Sequence, residues 1–182
     1  DRAAGPSPPP HAPPVEAVPP PLVSWSLPEV LQGRERCLVE MARIAVDIDV
    51  APPMRAGQCG AAAPVVLKGF AGDREQVTVH PPAVVNCGMV HAIHEWVNKT
   101  VQPLAREILG EDVVRLESVA GYQCRNRAGT ARLSEHAVAN AIDILGFVTR
   151  SGQKISVLDD WGPTGRDITQ AKTAQAVPEP SP

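Results

Sequence analysis

The sequence contains few aromatic residues, little net charge and no closely spaced cysteines. Three Trp, two Phe and one Tyr occur among 182 residues, and the formal net charge is -3. Such a charge gives no basic face for nucleic acid, and no apolar run is long enough to span a membrane. The four cysteines include no Cys-x-x-Cys pair, which argues against a thiolate zinc site or a thioredoxin-like redox centre. We therefore expect a protein that binds no nucleic acid and has no membrane span in the given chain.

Proline, by contrast, is abundant, with 20 residues concentrated near the two ends of the chain. Residues 1–28 favour extended polyproline II and lack an apolar period, so we predict a disordered spacer. A docking ligand for a groove-type domain is the alternative for this segment. We predict one folded domain at residues 29–161 and a disordered tail at residues 162–182. The chain shows no signal sequence, so an upstream signal or anchor was either removed or never existed.

Hydrophobic periodicity predicts an α+β fold with a mainly antiparallel sheet. An amphipathic pattern at residues 83–109, interrupted by Pro103 and followed by Gly110 as a C-terminal cap, predicts one long kinked helix packed against that sheet. A shorter helix is predicted at residues 34–45. The predicted strands cover residues 46–50, 64–69, 76–80, 113–122, 141–148 and 154–158, and the Pro81-Pro82 pair is expected to close the hairpin of the second and third.

The segment of residues 133–144 places His136 and Asp143 seven positions apart among small residues. On one strand this odd separation would point the two side chains to opposite faces. On one helix they would lie about 10 Å apart along the axis, too far to bind a single ion. Both side chains can reach one metal ion only if the chain bends between them, and the small residues 137–141 allow such a bend.

This segment also resembles a known motif. Zinc peptidases of the lysostaphin, D-alanyl-D-alanine carboxypeptidase and Hedgehog type carry Ser-x-His-x-x-Gly-x-Ala-x-Asp. Ser134, His136, Ala141 and Asp143 match it, whereas Ala139 stands in place of the glycine. The wider context resembles the extensin-like C-terminal domain of bacterial envelope proteins. That likeness runs from about Cys37 to Trp161, through Cys59-Gly60, Val101-Gln102-Pro103-Leu104-Ala105, Tyr122-Gln123-Cys124-Arg125, Ser134 to Asp143, and Asp160-Trp161.

The resemblance implies a zinc-dependent peptidase of the cell envelope that acts on peptidoglycan, with His136 and Asp143 as metal ligands. In such sites three protein ligands leave one position for water, whose pKa the ion lowers. The family's third ligand and its candidate base belong to a later His-x-His motif, but no histidine follows His136 here. Two ligands alone would hold zinc weakly. Whether the domain is an enzyme therefore stays open, and the last section of the family domain is expected to be missing.

Two alternatives follow from this incomplete site. A non-catalytic module held on a proline-rich tether would bind or organise cell-wall material. A frameshift or early stop would instead have shortened an intact enzyme, and the change of composition at Gly162 is what such an event leaves.

Other residues are weaker candidates for the site. His91 and His94 lie three apart beside Glu95, but their order matches no zinc-helix motif. His80 and Asp159 or Asp160 are weaker still. Arg125 and Arg127 are candidates to hold a substrate carboxylate by bidentate hydrogen bonds, although a solvated surface loop is the preferred interpretation.

The four cysteines are expected to form disulfides, with buried free thiols as the alternative. Four cysteines allow three pairings, and spacing selects none of them. We favour Cys37 with Cys59, and Cys87 with Cys124. Disulfides would indicate an oxidising compartment, and we expect a periplasmic or extracellular location.

Overall fold

The computed structural model describes residues 24–160 and residue 162. Its first element, α1, spans Leu27–Met41. The backbone N–H and the hydroxyl of Ser26 both donate to the Glu29 carboxylate, at 2.8 and 2.7 Å, so that the start of the helix is fixed by a capping interaction. The predicted helix at residues 34–45 therefore exists, but it begins and ends earlier than predicted.

Five strands follow α1. They are β1 Val46–Val50, β2 Met54–Ala56, β3 Cys59–Ala61, β4 Val65–Ala71 and β5 Gln76–Val85. Strands β2 and β3 form a separate two-stranded hairpin, whereas β1, β4 and β5 belong to the main sheet. The alternating pattern of residues 46–50 thus predicted β1 with its bounds as observed.

The prediction that Pro81-Pro82 closes the hairpin of the second and third predicted strands is wrong, because β5 continues to Val85. Its pairing with β4 jumps from Leu67 opposite Ala83 to Gly69 opposite Thr78, which leaves the prolines in an irregularity of the ladder. Proline donates no backbone hydrogen bond, and such a bulge is where a strand accommodates it.

The predicted long helix divides into three consecutive helical segments. Helix α2 spans Cys87–Trp96, a π-helical turn spans Val97–Val101, and α3 spans Gln102–Leu109. Residues 83–85 belong to β5 instead of the helix, because the chain turns at the N-cap Asn86. The prediction of a single long kinked helix is therefore not confirmed. Gly110 does end α3 in the left-handed conformation, with φ 74°, as its position predicted.

The remaining strands complete a six-stranded sheet in the order β1-β4-β5-β6-β7-β8, where β6 is Val113–Ala120, β7 is Asp143–Thr149 and β8 is Lys154–Ser156. All neighbouring pairs are antiparallel except β5 with β6. The α+β class and the mainly antiparallel sheet are confirmed. The core combines residues of α1, α2 and strands β4 to β6. Among the described residues, no helix has both the length and the apolar character needed to cross a membrane.

The four cysteines form two disulfides, but the predicted pairing is wrong. Cys37 on α1 bonds to Cys87 at the start of α2, with Cα atoms 5.3 Å apart. Cys59 on β3 bonds to Cys124, with Cα atoms 5.5 Å apart. The buried face of α1 packs on the first turn of α2, so its cysteine meets Cys87 and not the β2–β3 hairpin. Free thiols are excluded for these four residues.

Both proline-rich segments lie almost wholly outside the described residues. The predicted disorder of residues 1–23 and 163–182 therefore stays a prediction.

Candidate functional site

His136 lies on a single 3-10 turn, Glu135–Val138, that follows the extended residue Ser134. The Ser134 hydroxyl oxygen accepts the His136 backbone N–H at 3.4 Å. The turn ends at Ala139, which adopts the left-handed conformation with φ 57° and ψ 27°. This residue redirects the chain towards Asp143, the first residue of β7. The bend that the spacing required is thus a 3-10 turn closed by a left-handed residue.

The sheet brings the other parts of the site to the same place. Ala120, the last residue of β6, pairs with Asp143, the first residue of β7. Gly121 follows Ala120 directly, so it lies at the same end of the sheet as Asp143. The Nδ1 atom of His136 lies 2.7 Å from the Gly121 carbonyl oxygen. Because a carbonyl only accepts, Nδ1 carries the proton and donates it to Gly121.

The second ring nitrogen of His136 faces Asp143. Its Nε2 atom lies 3.3 Å from Asp143 Oδ1, and the imidazole is 9% exposed whereas the carboxylate is 50% exposed. In the neutral imidazole, a protonated Nδ1 leaves a lone pair on Nε2. That lone pair and a carboxylate oxygen then approach each other at contact distance. Such an arrangement needs either a second proton on the ring or a cation that both atoms coordinate.

The separation of these atoms fits zinc. Zinc binds histidine nitrogen and carboxylate oxygen at about 2.0–2.2 Å, so two corners of its tetrahedron lie about 3.3 Å apart. The hydrogen bond to Gly121 is also the kind of outer contact that fixes the tautomer of a metal-binding histidine. His136 and Asp143 therefore fit two of the four positions around a zinc ion.

A third protein ligand is not found beside them. Within residues 24–160 and residue 162, no three His, Cys, Asp or Glu side chains are grouped so that they could hold one metal ion. The donor chemistry of the pair fits zinc, but this part of the chain supplies only half of a tetrahedral site.

The histidines of α2 have other surroundings. The His94 ring packs edge-on against Phe70, with centroids 5.5 Å apart, and its Nε2 lies 3.0 Å from the Asn98 amide nitrogen. His91 lines a separate cavity with Arg43. A hydrogen bond from Lys99 holds the pKa of Glu95 below its usual range. These residues form no metal-binding group within the described chain.

The remaining weak candidates are also engaged elsewhere or exposed. Asp159 and Asp160 both accept hydrogen bonds from Ser156, at 2.8 Å from its hydroxyl and 2.7 Å from its backbone N–H. They shape the turn after β8. His80 is exposed on β5.

The two arginines proposed to hold substrate lie on the exposed segment before His136. Arg127 Nη2 donates to Glu135 Oε1 at 3.2 Å, and Arg125 Nε donates to Gln123 Oε1 at 3.1 Å. Both guanidinium groups therefore have partners within their own loop. These contacts accord with the surface-loop interpretation, and a role in substrate binding stays a prediction.

Sequence reasoning missed the residues that support His136. A Cβ atom on Gly121 would lie 2.2 Å from the Val84 carbonyl oxygen, so only glycine fits this close approach to β5. Asn86 accepts from Met89 N–H at 2.8 Å as the N-cap of α2, and its backbone N–H donates to the Ala139 carbonyl at 2.8 Å. The signal for Gly121 is its place near the end of a predicted strand, directly before the Tyr-x-Cys-Arg motif.

A small polar network extends from Asn86. Its side-chain amide donates to Asn140 Oδ1 at 3.1 Å, and Asn140 in turn donates to Glu135 Oε2 at 3.0 Å. Both carboxylate oxygens of Glu135 are thereby used, since Arg127 binds the other one. The network ties the turn that carries His136 to the start of α2.

The fold and the residue pair together define an α+β domain with a two-residue candidate metal site. The family model described as extensin-like protein C-terminus matches residues 35–178. This match covers more than half of the chain, and the chain belongs to the extensin-like family. The matched range continues past Trp161, where the predicted domain ends. No curated protein and no solved structure gives a significant match.

Proposed function

We propose that this extensin-like domain binds zinc through His136 and Asp143 and is a zinc hydrolase-like domain of the bacterial cell envelope, directed at peptide bonds of peptidoglycan. The observation that carries the proposal is the 3.3 Å approach of His136 Nε2 to Asp143 Oδ1 while Nδ1 is held by the Gly121 carbonyl. A neutral histidine in this orientation offers its lone pair to the same point as the carboxylate, as two ligands of one ion do.

The residues contribute binding and orientation. Burial of the His136 ring and its hydrogen bond to Gly121 keep Nε2 aimed at the exposed carboxylate. The half-exposed Asp143 leaves the pair open to solvent and to a substrate. When bound, zinc would polarise a carbonyl and lower the pKa of a coordinated water towards neutrality. With two protein ligands, the affinity for zinc is expected to be low.

The proposed location rests on the disulfides. Two bonds between four cysteines are typical of proteins in oxidising compartments. The proposed substrate comes from the resemblance of the Ser-x-His to Asp segment to zinc peptidases. The proposed periplasmic or extracellular location therefore agrees with the proposed peptidoglycan substrate.

A non-catalytic cell-wall module is the second candidate. It is favoured by the lack, among the described residues, of a third ligand beside His136 and Asp143. Such a module would keep the fold and bind wall material without cleaving it. The two candidates differ in whether zinc is bound and whether peptide bonds are cut.

The first experiment is zinc titration of the metal-free protein by calorimetry. We expect one zinc per chain in the wild type and none in His136→Ala or Asp143→Ala. His91→Ala and Asp49→Asn are matched controls, because they change the same residue types outside the pair, and both should bind zinc like the wild type. Zinc binding that survives both site variants would place the ion elsewhere and remove the proposal.

The second experiment separates hydrolysis from binding. Purified peptidoglycan is incubated with the zinc-loaded protein, and released fragments are analysed by mass spectrometry while sedimentation measures bound protein. New peptide ends that the wild type produces and His136→Ala does not would support the hydrolase. Binding to peptidoglycan without new ends, unchanged in the same variant, supports the module.

A further inference from the structure

The segment from Gly121 to His136 folds back on itself and carries both partners of the key hydrogen bond at its two ends. Backbone hydrogen bonds join its arms: Gln123 N–H to the His136 carbonyl at 3.1 Å, Ser134 N–H to Arg125 at 3.1 Å, and Arg127 N–H to Arg132 at 2.8 Å. Asn126 and Leu133 form an isolated antiparallel bridge. We call residues 121–136 the site hairpin.

The site hairpin has little apolar anchoring. Residues 123–132 are all exposed, so ten consecutive residues add almost no buried surface to the core. Segments with few buried apolar contacts open locally at low free energy. Hydrogen bonds between its own arms hold its shape, but they do not attach it to the rest of the domain.

The first arm of the site hairpin is attached to the domain by a covalent bond, whereas the second arm is tied to the start of α2 through Glu135, Asn140 and Asn86. Cys124, on the first arm of the site hairpin, is bonded to Cys59, a buried residue of β3. Besides this bond, the Tyr122 N–H donates to the Val84 carbonyl at 2.8 Å, close to the root of the hairpin. The disulfide lies three residues from Gly121 and fixes the arm that also binds the His136 backbone through Gln123.

From this arrangement we infer that the Cys59–Cys124 disulfide is a positioning element for the metal site: it holds the Gly121 carbonyl at hydrogen-bond distance from His136 Nδ1 and so keeps Nε2 aimed at Asp143. The inference rests on the proposed function, because it explains how the zinc pair is kept in place. Contacts that orient a metal-binding histidine change metal affinity by about 10- to 100-fold when they are removed.

The other disulfide supplies a matched control. Cys37–Cys87 closes a loop of 50 residues and Cys59–Cys124 one of 65. Removing either disulfide should therefore raise the entropy of the unfolded chain, and so lower the stability, by a similar amount. Cys37 and Cys87 join α1 to α2 within the core, and neither residue belongs to the site hairpin, so their removal leaves the bond to its first arm intact. A general loss of stability therefore affects both variants, whereas a positioning effect is confined to one of them.

The test compares Cys59→Ala/Cys124→Ala with Cys37→Ala/Cys87→Ala in the full chain. Zinc chloride is titrated into each metal-free protein by calorimetry, and circular dichroism checks that each is folded. We expect zinc affinity to fall about 10-fold or more in the first variant and to be retained in the second. Wild-type affinity in a folded Cys59→Ala/Cys124→Ala protein would overturn the inference.

A second measurement does not depend on zinc. Nitrogen-15 NMR of the metal-free proteins reports the tautomer of His136 and the protection of its Nδ1 proton from solvent exchange. The wild type and the Cys37→Ala/Cys87→Ala control should show a protected Nδ1–H, and the Cys59→Ala/Cys124→Ala variant should lose it. If the wild type binds no zinc, the proposed function fails, while this signal still decides whether the disulfide positions the ring.

Chemical reduction covers the case in which the double variant does not fold. A trialkylphosphine reduces a disulfide to two thiols while water supplies the protons and the oxygen of the phosphine oxide. Cys124 is exposed, whereas Cys37 and Cys87 are both buried, so the Cys59–Cys124 bond should react first. After iodoacetamide blocks the new thiols and mass spectrometry confirms the site, zinc affinity and the Nδ1–H signal should both fall. Unchanged values in this singly reduced protein would contradict the inference.

Discussion

The side chain of Gln102 pairs with both backbone groups of Val113. Its amide nitrogen donates to the Val113 carbonyl at 2.7 Å, and its oxygen accepts the Val113 N–H at 2.9 Å. Both residues are 1% exposed. The first residue of α3 thereby satisfies both backbone hydrogen-bonding groups of the first residue of β6. These two hydrogen bonds join the helix to the sheet.

Replacing Gln102 by Leu should therefore destabilise the domain strongly. The substitution leaves a buried N–H and a buried carbonyl without partners, which costs about 2–6 kcal/mol in total. Chemical denaturation followed by circular dichroism measures the loss. Gln58→Leu, at an exposed position between β2 and β3, is the control and should change the free energy of unfolding by less than about 0.5 kcal/mol. Equal effects of the two substitutions would contradict the assigned role of Gln102.

Ala139 gives a second prediction, because it occupies a left-handed conformation that glycine adopts without strain. Relief of that strain by Ala139→Gly gains about 1 kcal/mol, and loss of the buried methyl group costs about 0.8 kcal/mol. The net change in stability should be close to zero. Ala92→Gly, on the exposed side of α2, should cost about 1 kcal/mol. Thermal denaturation of the two variants side by side tests the difference, and a larger loss for Ala139→Gly than for Ala92→Gly would show that its backbone is unstrained.

The disulfides give a third prediction. Chain entropy assigns about 4 kcal/mol to each bond, from loops of 50 and 65 residues. Cys37 and Cys87 also pack in the core, so Cys37→Ala/Cys87→Ala should lose about 1 kcal/mol more than Cys59→Ala/Cys124→Ala. Urea denaturation midpoints measure both losses. A larger loss for Cys59→Ala/Cys124→Ala would mean that the disulfide of the site hairpin contributes more to global stability than the disulfide between α1 and α2.

Glu111 makes the stability depend on pH in a defined direction. The Ser151 backbone N–H donates to its carboxylate at 2.9 Å, the Ser151 hydroxyl donates at 2.8 Å, and the Thr149 hydroxyl adds a further hydrogen bond, which together hold the pKa of Glu111 below its ordinary value of 4.5. A pKa that folding lowers contributes stability above the ordinary value and loses it as the pH falls through the folded pKa.

The corresponding variant is Glu111→Gln, which cannot ionise. The wild type should be more stable than the variant at about pH 7, and the difference should shrink in acid, below the ordinary carboxyl pKa. Melting temperatures of both proteins across this range provide the measurement. A difference that stays constant in acid would show that the ionised carboxylate is not what Ser151 stabilises.

Local patterns predicted the element types better than their ends. Apolar and acidic residues alternate at residues 46–50, which is the pattern of a half-exposed strand, and β1 has these bounds. The prediction for Pro81-Pro82 is wrong because a proline pair usually ends a strand, whereas here a bulge in the pairing with β4 accommodates it. The predicted helix start at residue 83 is also wrong, since the apolar residues 83–85 fit a strand as well as a helix, and the N-cap Asn86 separates the two.

For the site, the sequence by itself determined the donor pair and the need for a bend, because His136 and Asp143 have the chemistry of zinc ligands and a spacing that no single strand or helix can use. It also determined that four cysteines would be bonded. Only the tertiary structure decided which cysteines pair, and that Gly121 holds the His136 ring. Those contacts join residues 15 to 65 positions apart, and they are brought together by the packing of β6 against β7, of α1 against α2, and of β3 against the turn that carries His136.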